Sequence, residues 1–98
     1  MKVYKVRILP SAYQDIAIAK AWYKKHNESL PGKFIEQINL TITSISDNPF
    51  AFAIRYKEIH IANTNRFPYA IHYFINNDIV EIIGVFHTAI SPDKWPKL

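Results

Sequence analysis

The 98-residue chain has no cysteine and no long apolar run, and these two absences exclude several classes of protein. Without cysteine there is no disulfide framework, no thiolate metal site and no thiol nucleophile. A membrane-spanning helix needs about 20 apolar residues, and no stretch of the chain approaches that length. The basic, alternating start of the chain lacks the apolar segment of a signal peptide. We therefore expect a soluble cytoplasmic protein with no membrane partner.

Internal repeats, low-complexity segments and linkers are also missing from the sequence. A chain of this length can bury one modest hydrophobic core but not two. The residues that are present favour a globular domain, because 49% of them are hydrophobic and 14% are aromatic. We predict a single domain that covers residues 1–98.

The charge of the chain is moderately basic. Twelve Lys and Arg residues against eight Asp and Glu residues give a net charge of +4. This excess favours an acidic partner, either nucleic acid or an acidic protein. A basic surface that only contacts solvent is the alternative, and charge alone does not separate the two.

The first half of the sequence predicts a strand and two helices. Residues 3–9 alternate apolar and basic side chains, as a half-buried strand does. Ser11 opens a capping box, so the first helix should begin there and run to about His26. Apolar residues then recur at helical spacing from Pro31 until Pro49 forbids continuation. Two helices joined by so short a turn should pack as an antiparallel pair.

The second half predicts three strands. Residues 55–61 form one predicted strand. Residues 66–75 and 79–87 are apolar, β-branched and aromatic runs on either side of Asn76-Asn77-Asp78. They predict a hairpin, because Asn and Asp tolerate the positive φ of tight turns. The order β-α-α-β-β-β indicates an α+β domain, with a helical hairpin packed on one face of a mostly antiparallel sheet.

The predicted sheet is apolar on both faces, although one helical layer can cover only one of them. The second face is either covered by the C-terminal tail, for which Trp95 is the candidate residue, or it is a docking surface. The alternating Tyr69 and Tyr73 could stack RNA bases, but a stripe at strand spacing more often forms core.

Several features, taken in order along the chain, resemble one known family. They are the opening strand that leads to Ser11, Trp22-Tyr23 in the first helix, Asp47-Asn48-Pro49 before the sheet, Arg66-Phe67-Pro68-Tyr69-Ala70-Ile71-His72-Tyr73, then Val85-Phe86-His87 and Pro92 to Trp95. Together they cover nearly the whole chain and are similar to the RelE/ParE superfamily of bacterial toxins from type II toxin–antitoxin modules.

The resemblance implies a small toxin held inactive by a cognate antitoxin, which wraps the toxin with a segment that folds on binding. RelE-like members of the superfamily cut messenger RNA in the ribosomal A site. ParE-like members inhibit DNA gyrase without cutting RNA. The molecular target of this chain is therefore expected to be either gyrase or the ribosome with its messenger RNA.

The two branches differ in their positive charges. Cutting RNA needs a group that activates the 2′-hydroxyl, a cation for the phosphorane charge and an acid for the leaving oxygen. RelE-like members carry an arginine at the position that is Ala70 in this chain. Many members also carry arginines where this chain has Thr88-Ala89-Ile90. The resemblance therefore favours the ParE-like branch, a protein-binding inhibitor of DNA gyrase or a similar target.

Two alternatives remain open. The chain could be a ribosome-dependent endoribonuclease with shifted cations, in which Lys57 and Arg66 stabilise the phosphate and His87 exchanges the proton. If His87 has no catalytic role, it caps the last strand or contacts the C-terminal tail. The chain could also be a decayed toxin that only binds its antitoxin.

The candidate site residues form two sets. The set for the target or for nucleic acid consists of the basic residues Arg55, Lys57, Arg66, Lys94 and Lys97. The set for the antitoxin lies on the second apolar face and consists of Phe74, Phe86 and Trp95. We expect no cofactor. We also expect no metal site, because the separations of His60, His72 and His87 match no ligand signature.

Overall fold

The computed structural model describes residues 3–96, which form two layers, a helical pair and a five-stranded sheet. In chain order the elements are β1 (Lys5–Ile8), α1 (Pro10–His26), α2 (Leu30–Asp47), β2 (Ile54–Tyr56), β3 (Ile59–Asn63), β4 (Tyr69–Asn76) and β5 (Ile79–His87). The predicted α+β fold is confirmed. Neither of the two helices has the length and apolarity to cross a membrane.

The sheet has the strand order β1-β5-β4-β3-β2. Strand β1 runs parallel to β5, and the other three pairs are antiparallel, as the sequence predicted for most of the sheet. Asn77 lies in the turn between β4 and β5 with a φ of 57°. The predicted hairpin is therefore confirmed, together with the reason for it, since Asn adopts positive φ at little cost.

One predicted strand is wrong. Residues 55–61 form parts of two strands, β2 and β3, which pair with each other around a turn at Lys57 and Glu58. Lys57 has a φ of 50°, a value that side-chain-bearing residues other than Asn and Asp seldom adopt. The turn carries no Gly, Asn or Pro, so the alternating pattern runs through it without a break.

The predicted capping box at the start of α1 is also wrong. The N-cap residue is Leu9, and Pro10 opens the helix, because its fixed φ suits the first turn and its missing N–H needs no partner there. Ser11 is already inside the helix, and its hydroxyl donates a hydrogen bond to the carbonyl of Ile83 in β5 (2.9 Å). The Ser11 side chain therefore ties α1 to the sheet instead of capping the helix.

The core lies between the helices and one face of the sheet. Ala12 and Ala19 of α1 are fully or almost fully buried, which lets the helix backbone approach β5 closely. The Tyr73 side chain is completely buried, and its hydroxyl donates a hydrogen bond to the carbonyl of Pro49 (2.6 Å). Tyr69 packs against the same core. Both tyrosines are therefore core residues, as the sequence favoured.

Candidate functional site

The sheet face turned away from the helices, here called the distal face, is partly covered by the C-terminal tail. The Trp95 ring centre lies 4.7 Å from that of Tyr56 and 5.3 Å from that of His72. The Phe86 ring meets His72 edge-on at 4.8 Å. The four rings form one aromatic cluster. The tail therefore provides the cover, which is one of the two outcomes that the sequence allowed.

His72 lies at the centre of this cluster and is only 2% exposed. Its Nδ1 shares a hydrogen bond with the Tyr56 hydroxyl at 3.0 Å. Burial lowers the pKa of His72 to about 4, and burial also raises the pKa of the Tyr56 phenol. Both side chains are therefore uncharged at neutral pH.

A cleft of about 230 Å³, here called the sheet cleft, opens on the distal face beside the cluster. It is lined by Arg55, Ile61, Asn63, Ala70, His72, Phe86, His87, Thr88 and Trp95. A second, wider cleft of about 640 Å³, the tail cleft, lies on the other side of Trp95. It is lined by Arg55, Tyr56, Lys57, Pro92, Asp93, Trp95 and Pro96. Arg55 and Trp95 border both clefts.

His87 stands at the mouth of the sheet cleft with one ring nitrogen already used. Its Nδ1 accepts a hydrogen bond from the backbone N–H of Ala89 at 3.0 Å. In the neutral ring the proton therefore sits on Nε2, which can only donate a hydrogen bond. In this arrangement the neutral imidazole presents no free lone pair that could take a proton from a substrate.

The predicted basic set is divided among several surfaces. Arg55 lines both clefts, whereas Lys57 lines the tail cleft alone. Arg66 has a φ of 72° in the loop before β4, and Lys94 is exposed in a short 3-10 helix; neither lines either cleft. Lys97 lies outside the described residues. The structure thus brings Arg55 and His87 to one cleft and leaves Arg66 and Lys94 away from it.

Of the neutral positions singled out by the resemblance, Ala70 and Thr88 line the sheet cleft, whereas Ala89 and Ile90 do not. Ala70 is 4% exposed and pairs with Phe86 across the strands, and Thr88 lines the same wall. A cationic side chain at either position would point into or beside the cleft. Within residues 3–96, Arg55 is the one Lys or Arg that lines it. The sheet cleft therefore carries a single fixed positive charge at neutral pH.

The histidines of the sheet do not converge. His60 pairs with Tyr73 and His72 pairs with Ile61, so the two side chains lie on opposite faces. His60 hydrogen-bonds the carbonyl of Phe52 through Nδ1 and stacks on the Tyr73 ring at 5.0 Å. In the described part of the chain no three His, Asp or Glu residues are gathered in a way that could hold a metal ion.

The predicted antitoxin residues share the distal face. Phe86 and Trp95 belong to the aromatic cluster, and Phe74 lies two residues beyond His72 on the same strand. All three are partly buried. Phe74 pairs with Glu81, a buried carboxylate whose Oε1 lies 3.4 Å from the Nε of Arg7.

A separate apolar groove lies along α1 and was missed by the sequence interpretation. It encloses about 440 Å³, and we call it the α1 groove; it is lined by Ile18, Ala19, Trp22, Tyr23, Pro68, Tyr69 and His87. Ile18 and Trp22 are 64% and 53% exposed. The sequence did carry a signal for this groove. Ile18 and Trp22 lie four positions apart, so they share one side of the helix, beside the stripe that was expected to be buried.

The chain matches no protein-family model and no curated protein sequence. Among solved structures, a chain of the chromosomal ParDE TA system from P. aeruginosa aligns with a TM-score of 0.77 and 10% identity, over 87% of this chain and 96% of that chain. A chain of the toxin–antitoxin complex RelBE2 from Mycobacterium tuberculosis aligns with a TM-score of 0.56 and 20% identity, over 87% of this chain and 98% of that chain. The chain therefore has the fold of the RelE/ParE toxins, as its sequence resemblance predicted.

Proposed function

We propose that this chain is the toxin of a type II toxin–antitoxin pair and that it acts in the cytoplasm by binding a protein target, DNA gyrase or a similar enzyme. The fold supports the toxin role, because both similar structures come from TA systems or complexes. The observation that carries the choice of mechanism is the single fixed cation of the sheet cleft.

The charge of the sheet cleft argues against RNA cleavage. A phosphorane carries two negative charges, and removing one preorganised donor from an active site typically costs about 10² to 10³ in kcat. Here two lining positions, Ala70 and Thr88, are neutral, and His72 is uncharged because burial lowers its pKa to about 4. His87 lacks a free lone pair on its neutral ring. No acid–base pair with an adequate cation is assembled in this cleft.

The backbone fit agrees with the ParE-like branch. The chain superposes better on the ParDE structure, with a TM-score of 0.77, than on the RelBE2 structure, with 0.56. The proposed partner that neutralises the toxin is a cognate antitoxin. We assign its contacts to the distal face, where Phe74, Phe86 and Trp95 offer partly exposed aromatic surface.

A ribosome-dependent endoribonuclease is the second candidate, and one observation favours it. Arg55, His87 and Trp95 line the same cleft, which offers a cation and a stacking surface for a base, while the His87 ring lies edge-on to the Tyr69 ring at 5.3 Å. In that case Arg55 would take the phosphate role that the sequence gave to Lys57 and Arg66.

Purified protein tests both candidates in parallel. We expect inhibition of gyrase supercoiling and intact messenger RNA on ribosomes, both for the native chain and for His87→Ala. Arg55→Ala tests the remaining cation, with Lys24→Ala on the exposed side of α1 as the matched control. Ribosome-dependent cleavage that is lost in Arg55→Ala but kept in Lys24→Ala would overturn the proposal.

A chain that binds its antitoxin but inhibits neither process would be a decayed toxin, and the inhibitor role would be wrong.

A further inference from the structure

The C-terminal tail has few polar ties to the rest of the molecule. The Thr88 N–H donates a hydrogen bond to the Pro68 carbonyl at 2.8 Å, which joins the start of the tail to the loop before β4. In the described part of the chain, no hydrogen bond or ion pair of residues 89–96 reaches beyond His87. The far end of this segment is held by the ring of Trp95. A segment attached in this way opens at a lower free-energy cost than the core of the domain.

The Trp95 ring lies over the centre of the distal face. Its centre is 4.7 Å from that of Tyr56 and 5.3 Å from that of His72, and its side chain borders both the sheet cleft and the tail cleft. Movement of the tail away from the sheet would join the two clefts and expose both rings to water. Because Trp95 is only partly buried, its contact should favour the closed tail by about 5- to 150-fold.

His72 cannot be protonated favourably beneath the closed tail. The ring is buried, and its Nδ1 shares a hydrogen bond with the Tyr56 hydroxyl at 3.0 Å. No Asp or Glu within residues 3–96 lines the sheet cleft, so no carboxylate there can neutralise an imidazolium. The charged and titratable groups that line the two clefts around this ring are Arg55 and Tyr56 of β2, Lys57 of the next turn, His87 of β5 and Asp93 of the tail.

Opening of the tail would hydrate the imidazole and remove this penalty. The pKa of His72 is about 4 under the tail, because burial disfavours the charged ring, and its ordinary value is 6.5. A proton can therefore shift the balance toward the open tail by at most about 300-fold, which exceeds the preference given by the Trp95 contact. The closed tail is fully favoured above pH 6.5 and loses this advantage as the pH falls toward 4.

We propose that residues 89–96 form a lid over the distal face, that Trp95 is its latch, and that protonation of His72 releases the latch. The distal face then exists in two forms, one divided by Trp95 into two clefts and one open along the aromatic cluster. This inference goes beyond the proposed function, because it concerns the free chain and holds for either target.

The test is acrylamide quenching of Trp95 fluorescence in the purified full chain that carries Trp22→Phe. The sequence has two tryptophans, so this variant leaves Trp95 as the only one. Trp22 is removed because the His26 ring stacks on it at 4.0 Å, and its emission would report on His26 as well. We expect quenching to rise severalfold between about pH 7 and pH 4, while circular dichroism shows that the chain stays folded.

NMR titration and matched variants assign the rise to His72. The His72 imidazole should titrate in the same variant with the midpoint of the quenching curve, a comparison that needs no change at His72. His72→Gln in the Trp22→Phe background should abolish the rise, because glutamine does not titrate. His87→Gln and Asp93→Asn are the controls and should leave it in place, since these side chains are exposed at the edges of the clefts.

Three outcomes would overturn the inference. Quenching that is already high at pH 7 would mean that Trp95 does not latch the tail. Quenching that stays low until circular dichroism shows global unfolding would mean that the lid does not open by itself. A rise that persists in His72→Gln would remove His72 from the mechanism. These measurements involve no target protein, so their failure leaves the proposed function standing, and failure of the gyrase assay leaves the lid standing.

Discussion

The protonation state of His72 is set by its surroundings and not by its residue type alone. The rings of Trp95 and Phe86 and the hydroxyl of Tyr56 surround it. Together they exclude water from the imidazole, and burial lowers its pKa to about 4. A histidine in a cleft is often assigned an acid–base role, but this one stays neutral at physiological pH and serves as a packing and hydrogen-bonding group.

The buried His72 should make folding stability depend on pH. Its pKa in the folded state, about 4, lies below the ordinary value of 6.5, so the unfolded chain binds the proton more tightly. The free energy of unfolding contributed by this residue should therefore be fully present above pH 6.5 and fall as the pH is lowered toward 4. The loss should reach at most about 3 kcal/mol. Urea unfolding at a series of pH values measures it.

The control for this pH dependence is His72→Gln, which keeps a polar side chain without a titrating group. The difference in pH dependence between the native chain and this variant separates the contribution of His72 from that of the carboxylates. Asp15 is one such carboxylate, and burial raises its pKa. Parallel curves for the native chain and His72→Gln would show that the ring is not buried as described.

Single residues also mark where interpretation of the sequence reaches its limit. Asn77 was predicted in a turn because Asn favours positive φ, and it lies in one. Lys57 adopts positive φ without any such preference, because the pairing of β2 with β3 imposes the turn. Ser11 has the local pattern of a cap, but it bonds to Ile83, 72 residues away. Long-range contacts decide both cases, and no local pattern encodes them.

At the scale of elements, the C-terminal tail acts as a cover for the distal face. Residues 92–94 form a 3-10 turn, and the Trp95 N–H donates a hydrogen bond to the Pro92 carbonyl at 3.1 Å. This turn directs the indole onto Tyr56 and His72. The tail thus closes the aromatic cluster and forms the wall between the sheet cleft and the tail cleft.

Removal of the Trp95 side chain should uncover the cluster. We expect Trp95→Ala to lower the free energy of unfolding by about 1 to 3 kcal/mol, less than for a fully buried tryptophan because Trp95 is only partly buried. The pKa of His72 should rise toward its ordinary value, which NMR titration of the imidazole measures. Trp22→Ala is the matched control and should leave that titration unchanged. An unaltered His72 titration in Trp95→Ala would mean that the tail does not cover the ring.

The elements themselves were largely predictable. Both helices end where the sequence indicated, at His26 and at Asp47, because each boundary follows from local chemistry. The hairpin of β4 and β5 follows from its apolar runs and its Asn turn. The parallel pairing of β1 with β5 was outside the reach of local patterns, since it joins residues more than 70 positions apart.

At the scale of the whole molecule, the candidate site was only partly predictable. Arg55 and His87 were named from the sequence and share the sheet cleft. Tyr56 was missed, because its role depends on the fold bringing it beside His72 and Trp95. The α1 groove was missed because Ile18 and Trp22 were placed next to the buried stripe of α1. Which apolar residues stay exposed depends on how α1 sits on the sheet.

Two surfaces of the described residues expose apolar side chains, the distal face and the α1 groove, and His87 lines a cleft on each. The sheet cleft between them carries one fixed cation, Arg55, and no free imidazole lone pair on the neutral His87. The proposed function follows from this arrangement, since it assigns inhibition to contact with a protein target and not to phosphodiester chemistry. That is the central claim of the proposed function.

The most direct test is to induce the gene without its antitoxin and to pulse-label the culture for DNA and protein synthesis at short intervals. We expect DNA synthesis to fall first, both with the native chain and with His87→Ala, since binding to gyrase does not require proton transfer. An early loss of protein synthesis, with cleaved messenger RNA and rescue by Arg55→Ala, would contradict the account and assign the sheet cleft to an endoribonuclease.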